Sequence, residues 1–405
     1  MTHSSTEGRD YYRLALILGA LTAIGPLAID MYLPSLPTIA REFGTTAAAV
    51  QASLAAYYIG IAIGQALYGP LSDRVGRKPA LYLGLGVFLL SSIGCARAAG
   101  VQALVTFRFL QALGGCAPIV VPRAVVRDYF DQQGSVRMLS LLMLVFGLAP
   151  ILAPLIGGQL LINFGWRSVF WVLATYAATW LTLVAIFLPE SLPRERRQRQ
   201  PIGVVLSTYA QLARDRVYMG YALSGALIFA GLLAYIAGSP FVFIEIFRVP
   251  PERFGFYFGT NAFGIIAASQ INRWLSTRMD PHRILRIMLV VAMSAGLLMF
   301  VNAWSGFGGF AGILIPLFCF ISSHGFVLPN TTALAMAPHG RVAGSASALL
   351  GTLQFVLGTT SAALVGAFAN GTAVPLAAVI AGCGVTAFLT HVVGETRSAP
   401  SLSAG

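Results

Sequence analysis

Apolar residues in this chain come in long runs, each of roughly 18 or more residues, separated by short polar connectors. A run of that length spans the hydrocarbon core of a bilayer as a helix. Lipid offers the backbone no hydrogen-bonding partner, so the chain must satisfy its own amides, and a barrel would instead show short alternating segments. Twelve such runs are legible, over residues 14–34, 48–69, 79–96, 101–125, 138–162 and 169–188 in the first half, and 217–244, 254–274, 284–301, 307–329, 342–368 and 372–393 in the second. The expected fold is an all-α integral membrane protein with twelve transmembrane helices in two pseudo-symmetric six-helix bundles.

The division into halves rests on the one long polar connector. It opens on Pro189, Glu190 and Pro193, continues through Arg194, Arg196, Arg197 and Arg199, and reaches Arg214 and Arg216. Residues 1–188 are therefore read as the N-terminal bundle, 189–216 as a cytoplasmic hinge loop and 217–405 as the C-terminal bundle. A weak repeat supports the halves. The loop Ser72-Asp73-Arg74-Val75-Gly76-Arg77-Lys78-Pro79 after the second run is echoed by Asn272-Arg273-Trp274-Leu275-Ser276-Thr277-Arg278 after the eighth. Two such halves with a binding site between them near mid-membrane are the plan of one large class of secondary transporters.

Composition agrees. Of 405 residues, 57% are hydrophobic and 10% charged, against about 25% charged in a soluble domain. The net charge of +12 would suggest nucleic acid in a soluble protein, but here it reads as the basic bias of cytoplasmic loops, and no nucleic-acid partner is expected. Basic residues crowd the loops on one side of the membrane and are sparse on the other, which holds Arg41, Arg97, Arg167, Arg248 and Arg253; this puts both termini inside. The first run is too long for a signal-peptide core and reads as a retained helix. Cys95, Cys116, Cys319 and Cys383 lie in apolar runs without ligand spacing, so neither a disulfide framework nor a metal site is expected.

Two charges stand out inside the runs. Asp30 falls in Gly25-Pro26-Leu27-Ala28-Ile29-Asp30-Met31-Tyr32-Leu33-Pro34, and an acid there costs roughly 3 kcal/mol on insertion. It is expected to face an internal cavity, where desolvation favours the neutral carboxyl and suits a proton carrier. The competing reading is a wetted acid near the outer helix end. Arg108, within Leu104-Val105-Thr106-Phe107-Arg108-Phe109-Leu110-Gln111, is the only basic residue deep in a run. It is either a structural arginine bonded to backbone carbonyls or the electrostatic partner of Asp30. Gly114-Gly115, Pro118, Pro122, Gly147, Pro150, Pro154 and Gly157-Gly158 also lie inside runs, where small residues permit close packing and prolines bend helices.

The stretch Gly69-Pro70-Leu71-Ser72-Asp73-Arg74-Val75-Gly76-Arg77-Lys78-Pro79-Ala80-Leu81 resembles the signature loop of the major facilitator superfamily. Asp73 is suited to capping a neighbouring helix N-terminus, and Arg77 to bridging Asp73 and Asp128. The resemblance implies a cytoplasmic charge relay, formed by Gly69, Asp73, Arg74, Gly76, Arg77 and Asp128, that latches the outward-facing state. Asp30-Met31-Tyr32-Leu33-Pro34, Arg108 and Val125-Val126-Arg127-Asp128 further resemble drug/proton antiporters of the bicyclomycin-resistance and chloramphenicol/florfenicol exporter (Bcr/CflA) branch. Gly165-Trp166-Arg167 and Ser239-Pro240-Phe241 with Glu245 fit the same branch. Two departures are visible. The helix-five motif, with Pro150, Pro154, Gly157 and Gly158, carries Ala153 where glycine is expected. Thr22 stands where some related exporters have a second acid, which argues against multiply charged cations.

The expected function is export of small drug-like or amphipathic compounds in exchange for protons, by alternating access, from the bacterial cytoplasmic membrane. No cofactor is implied, the proton gradient being the drive, and a monomer is expected. Asp30 and Arg108 are the proton-coupling residues, and Tyr32, Tyr58, Gln111, Tyr235, Phe241, Asn261 and Gln354 are cavity residues. The alternative on the same fold is uptake or release of a nutrient or metabolite such as a sugar or amino acid. A membrane enzyme or receptor would need a reactive cluster or a large soluble domain. His3, His282, His324, His339 and His391 are scattered, and no segment between the runs is long enough for such a domain, so neither is expected.

Overall fold

The long apolar runs fold as helices, and no strand occurs among the described residues of the computed structural model, which are 3–193, 195 and 209–398. The hinge arginines Arg194, Arg196, Arg197 and Arg199 lie outside the described residues. Eleven helical segments among those described are long and apolar enough to cross a membrane. The remaining run, expected at 254–274, forms the 25-residue helix Pro251–Leu275. It is long enough to span, but polar residues such as Asn261 and Gln270 lower its hydropathy.

In the first half the helices are α1 (His3–Asp30), α2 (Leu36–Glu42), α3 (Ala47–Val75), α4 (Arg77–Ala96), α5 (Val101–Gly115), α6 (Ala117–Tyr129), α7 (Gln132–Phe164) and α8 (Arg167–Phe187). The second half has α9 (Arg216–Pro240), α10 (Pro251–Leu275), α11 (Pro281–Ser305), α12 (Gly309–Met336), α13 (Ala343–Ala367) and α14 (Val374–Ser398). The chain separates into two units. One takes the chain up to Gln200 with Pro251–Phe256; the other takes Pro201–Pro250 and the chain from Tyr257 onward.

Helix boundaries have local causes. Thr46, Asp131, Asp215 and Asp280 cap α3, α7, α9 and α11 by accepting backbone N–H bonds in the first turn. Gly76, at φ +109°, turns the chain sharply between α3 and α4, a conformation side-chain-bearing residues rarely adopt. Two of the expected single spans are broken. The first is α1 followed by a 3-10 turn (Leu33–Ser35) and α2; the fourth is α5 and α6, which meet at Cys116.

Within the first unit α3 and α4 pack on α5, and α4 also on α8, while α1 packs on α6 and α7. The α4–α5 approach is close: a Cβ on Gly84 would strike Ala117 and the Gly114 carbonyl. Small residues thus bring α5, which carries Arg108, against the backbone of its neighbours. In the second unit α9 packs on α12, α13 and α14, and α11 on α12 and α14.

Candidate functional site

Helix α1 ends at Asp30 because Pro34, four residues on, has no N–H to give the Asp30 carbonyl. The last carbonyls of a helix need outside partners. Arg108 supplies one, donating from Nη1 to the Ala28 oxygen at 3.0 Å. Helix α7 backs onto the same break: a Cβ on Gly157 would collide with the Met31 carbonyl. The helix-five motif therefore packs next to Asp30, with Ala153 fully buried.

Arg108 is 0% exposed and sits in a cage of rings and amides. Its guanidinium carbon lies 4.1 Å from the centre of the Tyr57 ring, 4.8 Å from Tyr32 and 5.8 Å from Phe170. Such faces attract a cation, most strongly when water is excluded. Nη1 also donates to Gln111 Oε1 at 2.6 Å, Gln111 Nε2 donates to Ser92 Oγ at 2.7 Å, and Ser92 Oγ donates to the Phe88 carbonyl at 2.7 Å. Tyr32 and Ser53 join their hydroxyls at 2.9 Å. Nε and Nη2 of Arg108 have no hydrogen-bond partner among the described residues.

Asp30 is 4% exposed, and among the described residues its carboxylate has no hydrogen-bond or ion-pair partner. No ion pair joins it to Arg108. The two charges belong to one bundle, where Tyr57 and Tyr58 are also fully buried. The hydroxyls of both tyrosines are buried without a partner among the described residues. Of the two readings of Arg108, bonding to a backbone carbonyl is realised, while direct pairing with Asp30 is not.

The Asp73 loop forms a second cluster at one end of the unit. Arg77 donates from Nη1 to Asp73 Oδ1 at 2.5 Å and to Ser72 Oγ at 2.9 Å, and from Nε to Asp128 Oδ2 at 2.9 Å. Asp128 also accepts from Ser191 Oγ at 2.8 Å. Arg74 is exposed, and Gly69 has open space where a Cβ would stand. The expected cap runs differently. The N-terminus of α4 is held by Glu190, which accepts from the Arg77 and Lys78 backbone N–H groups at 2.9 and 3.1 Å, while Asp73 is taken by Arg77. Glu190 reads in the sequence only as a connector acid; its place after Pro189 at the end of a span was the available signal.

A third cluster joins α2 to α8. Trp166 Nε1 donates to Glu42 Oε2 at 2.7 Å, and Arg167 forms an ion pair with Glu42. Among the expected cavity residues, Tyr32 and Gln111 gather at Arg108, with Tyr58 beside Tyr57. In the second unit Asn261 Nδ2 donates to Tyr235 Oη at 3.0 Å; Phe241 is buried and Gln354 half-buried.

The pattern of the Major Facilitator Superfamily matches residues 18–363. The uncharacterized MFS-type transporter YdgK of Bacillus subtilis (strain 168) is 39% identical over 98% of this chain and 96% of its own. The bicyclomycin resistance protein homolog of Haemophilus influenzae is 30% identical over 95% of this chain and 97% of its own. A solved nucleoside transporter, NupG, superimposes with a TM-score of 0.78 over 95% of this chain and 99% of its own, at 13% identity, a likeness of fold alone. The chain is a membrane transporter rather than an enzyme, and it belongs to the major facilitator superfamily and, within it, to the bicyclomycin-resistance (Bcr/CflA) branch.

Proposed function

We propose that the protein exports small drug-like or amphipathic compounds across the bacterial inner membrane in exchange for protons, with both termini on the cytoplasmic side. The observation that carries this reading is the buried, unpartnered carboxylate of Asp30 in the same bundle as the caged cation of Arg108. A carboxyl that nothing neutralises is ready to take up a proton, and an acid is retained inside a membrane segment for a function that repays its insertion cost. The break in α1 beside Gly157 gives that proton a mechanical consequence. Neutralising Asp30 changes the field at a helix end that Arg108 closes and α7 supports.

The two bundles would then expose the site to each side of the membrane in turn. The resistance name carried by the Haemophilus influenzae relative favours export of toxic compounds over nutrient uptake. The Asp73–Arg77–Asp128 cluster would hold one of the two states.

The test is transport in everted membrane vesicles energised by a proton gradient, comparing the wild type with Asp30→Asn over a panel of aromatic antibiotics. The variant is expected to lose gradient-driven accumulation while keeping exchange of substrate for substrate. Accumulation unchanged in Asp30→Asn would refute proton coupling through this residue.

A further inference from the structure

His339 of the second unit belongs to none of the clusters described above. It sits in the short 3-10 connector Ala337–Val342 between α12 and α13, where its backbone, at φ −110° and ψ 28°, is the non-helical point of the joint. Its Nε2 lies 3.2 Å from Asp215 Oδ2, and its ring meets the Tyr218 ring edge to face at 5.4 Å. Asp215 is also the cap of α9: its Oδ1 accepts from the Val217 and Tyr218 backbone N–H groups at 2.9 and 3.1 Å. One carboxylate thus holds the first turn of α9 with one oxygen and the α12–α13 joint with the other. Tyr218 adds a second tie, donating from its hydroxyl to the Ala346 carbonyl of α13 at 2.6 Å.

We infer that Asp215 and His339 form a pH-sensitive latch on the second unit, closed while the imidazole is protonated and released when it loses its charge. Histidine makes that change between about pH 5 and 8, whereas the arginine of the Asp73–Arg77–Asp128 cluster keeps its charge throughout. Few other ionisable groups face the pair. Arg214 and Arg216 flank Asp215 and are exposed, Tyr209 and Tyr218 supply phenols, and Arg341 stands two residues beyond His339. Neither the last turn of α12 nor any part of α13 carries a titratable residue. Rocking a bundle bends its helix joints, and a few residues at element ends absorb the change. A joint fastened to α9 resists that bend. The effect on turnover rests on the export reading: with the hinge loop on the cytoplasmic side, acidification of the cytoplasm tightens the latch, slows exchange and limits further proton entry.

The experiment measures substrate-for-substrate exchange of uncharged aromatic antibiotics by the full-length protein in proteoliposomes. The pH is equal on both sides and set to about 6 or about 8, so no gradient drives the exchange. The readout is the ratio of the faster rate, expected at the higher pH, to the slower one. A partly exposed ion pair shifts an equilibrium by up to about fivefold, so His339→Gln should lower this ratio about two- to fivefold. Asp215→Asn, whose amide oxygen still caps α9, should do the same. His339→Arg keeps its charge at both pH values and should be slow at both.

A ratio unchanged in His339→Gln, or His339→Arg as fast as His339→Gln at the higher pH, overturns the latch while the export reading stands. If the wild type exchanges none of the antibiotics, the export reading falls, and the latch is judged by melting curves in detergent. A bond to the charged imidazole stabilises only while that charge is present. The wild type should therefore melt above His339→Gln at the lower pH, with the gap closing at the higher one. A gap that is absent, or the same at both pH values, overturns the latch.

Discussion

Arg108 donates to the carbonyl of Ala28 at 3.0 Å, so a buried cation on one helix closes the end of another two residues before Asp30. Replacing Arg108 by Met should leave the Ala28 carbonyl and the Gln111 amide oxygen short of a donor. Each orphaned group costs about 1–3 kcal/mol, so Arg108→Met is expected to lower thermal stability in detergent. Arg108→Lys should recover part of it, since an ammonium reaches fewer partners than the fork. A thiol-reactive dye reads this in a Cys319→Ser background, because Cys319 is exposed while Cys95, Cys116 and Cys383 are buried in the folded protein. Melting curves that coincide for wild type and Arg108→Met would contradict the capping role.

Glu190 makes a second measurable claim. Its carboxylate holds the first two backbone N–H groups of α4. Removing a cap of this kind costs about 0.5–2 kcal/mol. Glu190→Ala should therefore lower the melting temperature more than Glu190→Gln, whose amide oxygen still accepts a bond. Equal shifts for the two variants would mean that the carboxylate acts through charge alone.

Gly157 is expected to tolerate no side chain. A methyl group there meets the Met31 carbonyl, a backbone atom that cannot rotate away, whereas one on Gly86 meets nothing within 4 Å. Gly157→Ala should displace the α1 break and reduce both folded yield and gradient-driven transport. Gly86→Ala, scored in the same assays, should resemble the wild type. Wild-type behaviour of Gly157→Ala would show that α7 does not support the break.

The Glu42–Arg167 pair should contribute little by itself. The two side chains are 42% and 40% exposed, and exposed pairs are worth about 0–1 kcal/mol. Glu42 also accepts from the indole N–H of Trp166, which is almost fully buried. Glu42→Ala should therefore destabilise more than Arg167→Gln, and a double-mutant cycle should give a coupling below about 1 kcal/mol. A larger coupling would make the ion pair, and not the indole bond, the main tie between α2 and α8.

The parts of this architecture legible in the sequence are those written in consecutive residues. Long apolar runs predict helices, and Asp30 and Arg108 stand out because charges are costly there. The Asp73 loop stands out because its charges come in a fixed order. Even the Arg77–Asp128 bridge was readable, since both residues border spans ending on the same side. What could not be read is pairing between distant segments that the local pattern leaves free. Glu190 sits 113 residues from Arg77 and resembles any connector acid. Glu42 and Trp166 are 124 residues apart, on helices whose adjacency no periodicity reports. The separation of Asp30 from Arg108 was equally hidden. Arg108 donates instead to the Ala28 carbonyl and to Gln111 on its own helix.

The caged arginine also gives the first bundle an electrical character. A guanidinium is a permanent cation, and among the described residues no acid pairs with this one directly. With Asp30 ionised, the two charges sum to zero and the voltage across the membrane exerts almost no net force on them. Once Asp30 is protonated, one uncompensated positive charge remains, and 100 mV acts on it with up to about 2.3 kcal/mol for a full crossing. On the proposed export reading, a single proton would thus turn this pair of charges from indifferent to responsive, and the membrane voltage would act on it alongside the pH difference.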